Sequence, residues 1–80
     1  MSTKLKQDIS IGENLQKLRK KADLSQEAVA AKLELMGHSI SREIISQMEL
    51  GRYSVKISVL IALKEIYKVE SFDDFFQGLY

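Results

Sequence analysis

Ile11, Leu15, Leu18 and Ala22 are spaced four, three and four residues apart, which gathers them on one stripe of an α-helix and on neither face of a strand. Asp23 and Leu24 interrupt the pattern, and it then restarts. Val29, Leu33 and Met36 continue it in a second segment, Ile45 and Met48 in a third, and Val59, Leu60, Leu63, Ile66 and Tyr67 in a fourth. No stretch alternates well enough to make a strand within the domain, and the chain has no proline. This periodicity restricts the fold to an all-α class, a compact five-helix domain.

The punctuation between stripes places the helices. Ser10 followed by Glu13 has the form of a capping box, so helix one is expected from Ile11. Ser25 suits the N-cap of helix two, about residues 26–36, with Leu24 and Val29 spaced as a hydrophobic staple. Gly37, His38 and Ser39 read as a turn, Ser41 as the cap of helix three, about residues 41–50, and Gly51 as its stop. Helix four, residues 56–68, is expected to be the most buried, with Ile57, Ile61 and Ala62 widening its apolar side. A fifth, residues 72–77, would start at Ser71 with Asp73 and Asp74 at its positive dipole end. Phe72, Phe75 and Phe76 are expected to close the core. Residues 1–10 are polar and unpatterned and are expected to form a mobile N-terminal arm before a single domain spanning residues 11–80.

A chain of 80 residues buries only about 60–65% of its unfolded surface, so a large enclosed active site is not expected. There is no cysteine and one histidine, His38, which leaves neither a disulfide framework nor a thiolate or imidazole metal cluster. No metal, no cofactor and no enzymatic activity are expected. The longest apolar run, residues 59–63, is far short of the roughly 20 needed to span a bilayer, so no membrane partner is expected. Net charge is +1, but residues 1–32 carry seven Lys or Arg against four acids and residues 57–80 carry two against four. Lys17, Arg19, Lys20 and Lys21 make the front of the chain basic. By charge alone, a solvated helix face explains them better than a polyanion site.

The stretch SREIISQMELGRY, residues 41–53, has a second side that composition does not explain. At about 100° per residue, Ser41, Ile44, Ile45 and Met48 gather on one side. Arg42, Glu43, Ser46, Gln47 and Leu50 gather on the other. A guanidinium, a carboxylate, a hydroxyl and an amide within about two turns form a display of donors and acceptors.

Two helices joined by a turn, the second bearing such a display, describe a helix-turn-helix. IGENLQKLRKKADLSQEAVAAKL, ISREIISQMELGR and LIALKEIYKVESFDDFF together resemble the Cro/C1-type (XRE-like) helix-turn-helix family of phage repressors and bacterial regulators, over residues 11–76. The resemblance implies a lambda-repressor-like domain in which helix two crosses the DNA backbone and helix three enters the major groove of double-stranded DNA. It implies a phosphate contact from Gln26, contacts at or near base edges from Ser41, Arg42, Glu43, Ile44 and Gln47, and backbone contacts from Arg52 and Lys56. By chemistry, Arg42 suits guanine, Gln47 adenine, and Glu43 the amino group of cytosine. Ile44, between core and groove, either touches a thymine methyl or is simply packed. Arg19 and Glu49 match a partly buried, structural ion pair. The chain departs from the family in its longer turn between helices two and three, in Leu50 where a polar residue is common, and in Lys68 where a glycine usually ends helix four.

The function implied is a cytoplasmic, nucleoid-associated transcriptional regulator of bacterial or phage origin, a repressor acting as a homodimer, with a separate regulatory protein as a further partner. A different class stays open: a helical protein-interaction module or antitoxin-like partner with the same fold and little DNA binding. His38 reads as a turn residue. Asp73 and Asp74 read as helix-start residues, since neighbours on a helix point about 100° apart. Leu79 and Tyr80 are candidates for a dimer contact.

Overall fold

Serine hydroxyls open three of the helical elements. The computed structural model describes residues 4–5 and 9–79, with helices α1 (Gly12–Lys21), α2 (Gln26–Leu35), α3 (Arg42–Glu49) and α4 (Ile57–Ile66), followed by a 3-10 helix, Phe72–Phe76. Ser25, Ser41 and Ser71 accept the backbone N–H groups of Ala28, Ile44 and Asp73 at 3.0, 3.2 and 3.1 Å. Each replaces an acceptor that the first turn of a helix lacks. At α1 the expected capping box does not form. Ile11 is the N-cap, and Ser10 Oγ instead accepts the Gly12 N–H at 3.0 Å.

All four α-helices stop in the same way. The second N–H past each helix-capping residue reaches back to the carbonyl five positions earlier: Leu24 to Arg19, His38 to Leu33, Arg52 to Gln47 and Val69 to Lys64. The residue between lies in the left-handed region: Asp23 at φ 59°, Gly37 at 90°, Gly51 at 74° and Lys68 at 55°. This is the Schellman arrangement. Lys68 adopts it despite its Cβ, which costs roughly 1–2 kcal/mol. Lys68→Gly is therefore expected to raise stability by about 0.5–1 kcal/mol, the relief being partly offset by the greater freedom of glycine in the unfolded chain. A higher urea midpoint at unchanged slope would show it.

Helix α3 packs on α1 and α2, α4 packs on α2, and the 3-10 helix packs on α1. Leu15, Val29, Leu33, Val59, Leu63 and Phe75 are almost fully buried at the centre. The C-terminal element is a 3-10 helix, where an α-helix was expected. Asp74 N–H bonds to Ser71 O and Leu79 N–H to Phe76 O, three residues back in each case, while Asn14 Nδ2 donates to Phe75 O and Gln77 O at 3.0 Å each. Asn14 thus takes the Phe75 carbonyl that a continuing α-helix would use.

Residues 4 and 5 form a strand, β1 (Lys4–Leu5), antiparallel to β2 (Val55–Lys56), with Lys4 opposite Lys56 and Leu5 opposite Val55, although no strand was expected. So short a ladder has no room for the alternation that announces a strand. Of the rest of the anticipated arm, residues 1–3 and 6–8 lie outside the described residues, as does Tyr80, while residues 9 and 10 are exposed. Helix α4 is shorter than expected, since Lys56 is extended and Tyr67 and Lys68 form its stop. Finally, Ile57 and Ile61 are exposed, because Val59, Leu60, Ala62 and Leu63 already fill the inward stripe of α4, and Phe72 is exposed on the 3-10 helix, whose buried residue is Phe75.

Candidate nucleic-acid interface

Ser41 as N-cap makes Arg42 and Glu43 the first residues of α3, while Ile45 and Met48, 3% and 2% exposed, fix the rotation of the helix against the core. Rotation is what sorts the side chains. Ser41, Arg42, Glu43 and Gln47 are exposed, and Ile44 is half-buried against the core. The side chains of Arg42, Glu43 and Gln47 are held by no hydrogen bond or ion pair among the described residues.

The other end of α3 is clamped to α1. Glu49 and Arg19 are both buried. Arg19 Nε donates to Glu49 Oε2 at 2.7 Å and Nη2 to Oε1 at 3.1 Å, while Nη1 donates to Leu24 O at 2.9 Å. The hydrogen bond to Glu49, opposed by burial and aided by the same carboxylate's charge, holds the guanidinium pKa above its ordinary value. Burial, with the charge of Glu49, likewise holds the Tyr67 phenol well above its usual range. Gln26 joins the cluster, its Nε2 donating to Glu49 Oε1 at 3.1 Å. An amide nitrogen carries two hydrogens, so one remains for an outside acceptor.

Gln26 and Arg42 line a common open concavity with Gln16, Lys20 and Glu27. The first turn of α2 and the first residue of α3 thus share one concavity. Ser25 satisfies the Ala28 N–H, whereas the N–H groups of Gln26 and Glu27 have no intrahelical acceptor. Their dipole end and the cations Lys20 and Arg42 favour an anion. Glu27 opposes it.

Ile44 and Lys56 lie apart from this concavity, lining another with Ile40, Tyr53 and Ser54. Arg52 is exposed just beyond Gly51, on the segment that the Schellman turn of α3 directs. Leu50 beside it is 57% exposed. Of the basic front, Lys17 pairs with Glu13 at 3.6 Å in solvent, Arg19 is buried, Lys20 joins the concavity, and Lys21 lies with Lys32 and Lys68 in a separate groove. Among the described residues, no helix is long and apolar enough to cross a membrane and no cluster of acids or histidine is placed to hold a metal ion.

Two contributors are not visible from spacing. Gly12 is one: a Cβ there would meet Glu49 C at 2.7 Å and Met48 O at 2.8 Å, and would overlap Glu49 O. The absent side chain lets the start of α1 touch the last carbonyls of α3. A glycine in a helical first turn, where no turn geometry requires one, was the available signal. The Gln26–Glu49 bond is the other, and it had no signal, because it depends on how α2 crosses α3.

A helix-turn-helix family model matches residues 15–75. No curated protein and no solved structure matches the chain.

Proposed function

Since the chain belongs to the Cro/C1-type (XRE-like) helix-turn-helix family, a family of DNA-binding regulators, we propose that it is a sequence-specific repressor that inserts α3 into the major groove. One observation carries this reading: Arg42, Glu43 and Gln47 stand exposed on α3 with no side-chain partner among the described residues, and Arg42 shares a concavity with the α2 N-terminus. In this arrangement Gln26 and the first turn of α2 take a phosphate, and Arg52 and Lys56 take phosphates beyond the other end of α3. Ser41, Arg42, Glu43, Ile44 and Gln47 meet base edges. Phosphate contacts set register, and the edge contacts carry sequence. The protein acts as a homodimer on a palindromic site in a bacterial or phage-derived cytoplasm, and a separate protein chain is the route by which a signal reaches it.

The rival is a protein-interaction module of the same fold, which the net charge of +1 and the exposed Leu50 favour. Duplex binding over a salt series separates the two. For a regulator, affinity falls steeply with log salt, and a selected sequence survives better than bulk DNA. Flat salt dependence with no selected sequence rejects DNA binding. Arg42→Ala is expected to cost about 1–3 kcal/mol on the preferred site and to relax one base position. If the variant keeps the parent's full sequence preference, Arg42 does not read a base.

A further inference from the structure

A groove of about 640 Å³ opens between α1, α2, the end of α4 and the 3-10 helix, within the ~300–1,000 Å³ usual for small-molecule sites. Leu18, Ala22, Leu24, Ile66 and Val69 give it an apolar floor, and Lys21, Lys32 and Lys68 stand exposed on its rim. Glu70 and Asp74 line it as well, so three cations face two acids and one positive charge is unmatched. None of these five forms an ion pair among the described residues. The last carbonyls of α1 and α4, which would disfavour an anion, are taken up by the N–H groups of the Schellman stops. Tyr67 also lines the groove, yet it is only 6% exposed. Its hydroxyl makes no hydrogen bond among the described residues, and none of those residues holds a wholly buried side-chain oxygen or nitrogen without a partner. The hydroxyl therefore keeps an accessible edge, and a donor that a buried tyrosine ordinarily gives to a partner stays open.

We propose that this groove binds an aliphatic monocarboxylate, its tail on the apolar floor and its carboxylate accepting the Tyr67 hydroxyl beside the lysine rim. Each part narrows the ligand. Burial and the charge of Glu49 keep the phenol protonated, so it remains a donor and calls for an acceptor. An ionised acceptor answers it best, since such hydrogen bonds are roughly twice as strong as neutral ones. One unmatched positive charge suits one carboxylate, whereas the further charge of a phosphate or a dicarboxylate is set against Glu70 and Asp74. A short, polar anion leaves the floor in water. Each methylene that covers it is expected to tighten binding by up to about fourfold.

The groove shares no residue with the concavity of Gln26 and Arg42, but Arg19 joins the two. Arg19 lines that concavity and donates to the carbonyl of Leu24, a floor residue of the groove. A ligand seated on Leu24 and Tyr67 therefore rests beside the residue that holds Glu49, and through it Gln26. The binding itself does not depend on the DNA-binding function proposed above and is tested without DNA.

Calorimetric titration of the full chain with sodium decanoate is expected to show one saturable site with a Kd on the order of 1 mM or tighter. Octanoate is expected to bind about tenfold more weakly for want of two methylenes, and decanol about tenfold more weakly for want of the charge. Amide resonances of Leu24, Tyr67 and Val69 are expected to move as decanoate is added. Tyr67→Phe is expected to keep the parent's thermal melt, because its hydroxyl has no partner to lose, and to weaken decanoate binding about tenfold. Lys32→Glu, at an exposed rim position, is expected to weaken it by a similar factor, so the test stands even if Tyr67→Phe folds poorly. No saturable binding up to about 10 mM decanoate, decanol binding as tightly as decanoate, or either variant binding decanoate like the parent would overturn the proposal.

Discussion

Glu49→Ala is expected to remove about 3–5 kcal/mol of folding stability, because it strands the Arg19 guanidinium without its carboxylate. The side chains of the pair are only 10% and 4% exposed, so water cannot replace the lost partner without opening the fold. Leu24 O would remain as an acceptor for Nη1, but an acceptor carbonyl does not neutralise a cation. Domains have roughly 5–15 kcal/mol in total, so this single change uses up much of the margin. Glu49→Gln keeps one oxygen for Arg19 but turns an NH₂ toward its donors, and is expected to cost about half as much. The paired replacement Arg19→Met with Glu49→Leu is expected to recover most of the loss, since apolar side chains of similar volume often replace a buried ion pair at little cost. Urea unfolding of the three variants tests this. A double variant as unstable as Glu49→Ala would mean that the pair itself, and not the stranded charge, supports the fold. The same substitution frees Gln26 from its acceptor, so affinity for duplex should also fall in conditions where the variant is folded.

Gly12→Ala is expected to destabilise the domain by about 3 kcal/mol, although alanine is the better helix former. Helix propensity favours the substitution by at most about 1 kcal/mol. Against it stands a methyl group driven into the carbonyls of Met48 and Glu49, and backbone cannot rotate away as a flexible side chain can. Overpacking costs typically run about 1–3 kcal/mol, and a backbone obstacle belongs at the upper end. For a domain of this size the melting temperature should drop by roughly 15 °C. Calorimetry would show it, and an unchanged melt would mean that α1 and α3 can separate without penalty.

The helical elements were legible because their signals are local. The stripes from Ile11 to Ala22 and from Val29 to Leu33, the caps Ser25 and Ser41, and the stop at Gly51 all act within a few residues of chain. The family's own pattern added the Arg19–Glu49 pair, which spacing alone would have placed among the surface cations. Errors arose where the deciding contact is remote in sequence. Asn14 captures carbonyls of the 3-10 helix, Lys68 accepts a left-handed backbone because Val69 is buried beyond it, and Ile57 and Ile61 stay outside because α4 has only one face to bury.

For this protein the sequence alone determined the order of the four α-helices, the residues that start and stop most of them, and the polar display carried by α3. Those properties follow from backbone hydrogen bonding and helical period, which neighbouring residues settle among themselves. The tertiary structure decided which apolar residues became core and which became surface. It also decided that Glu49 would join Arg19 and Gln26, and that α1 and α3 would touch at Gly12. Each of those outcomes depends on the angle and distance at which one helix meets another, set by side-chain volumes summed over the whole core.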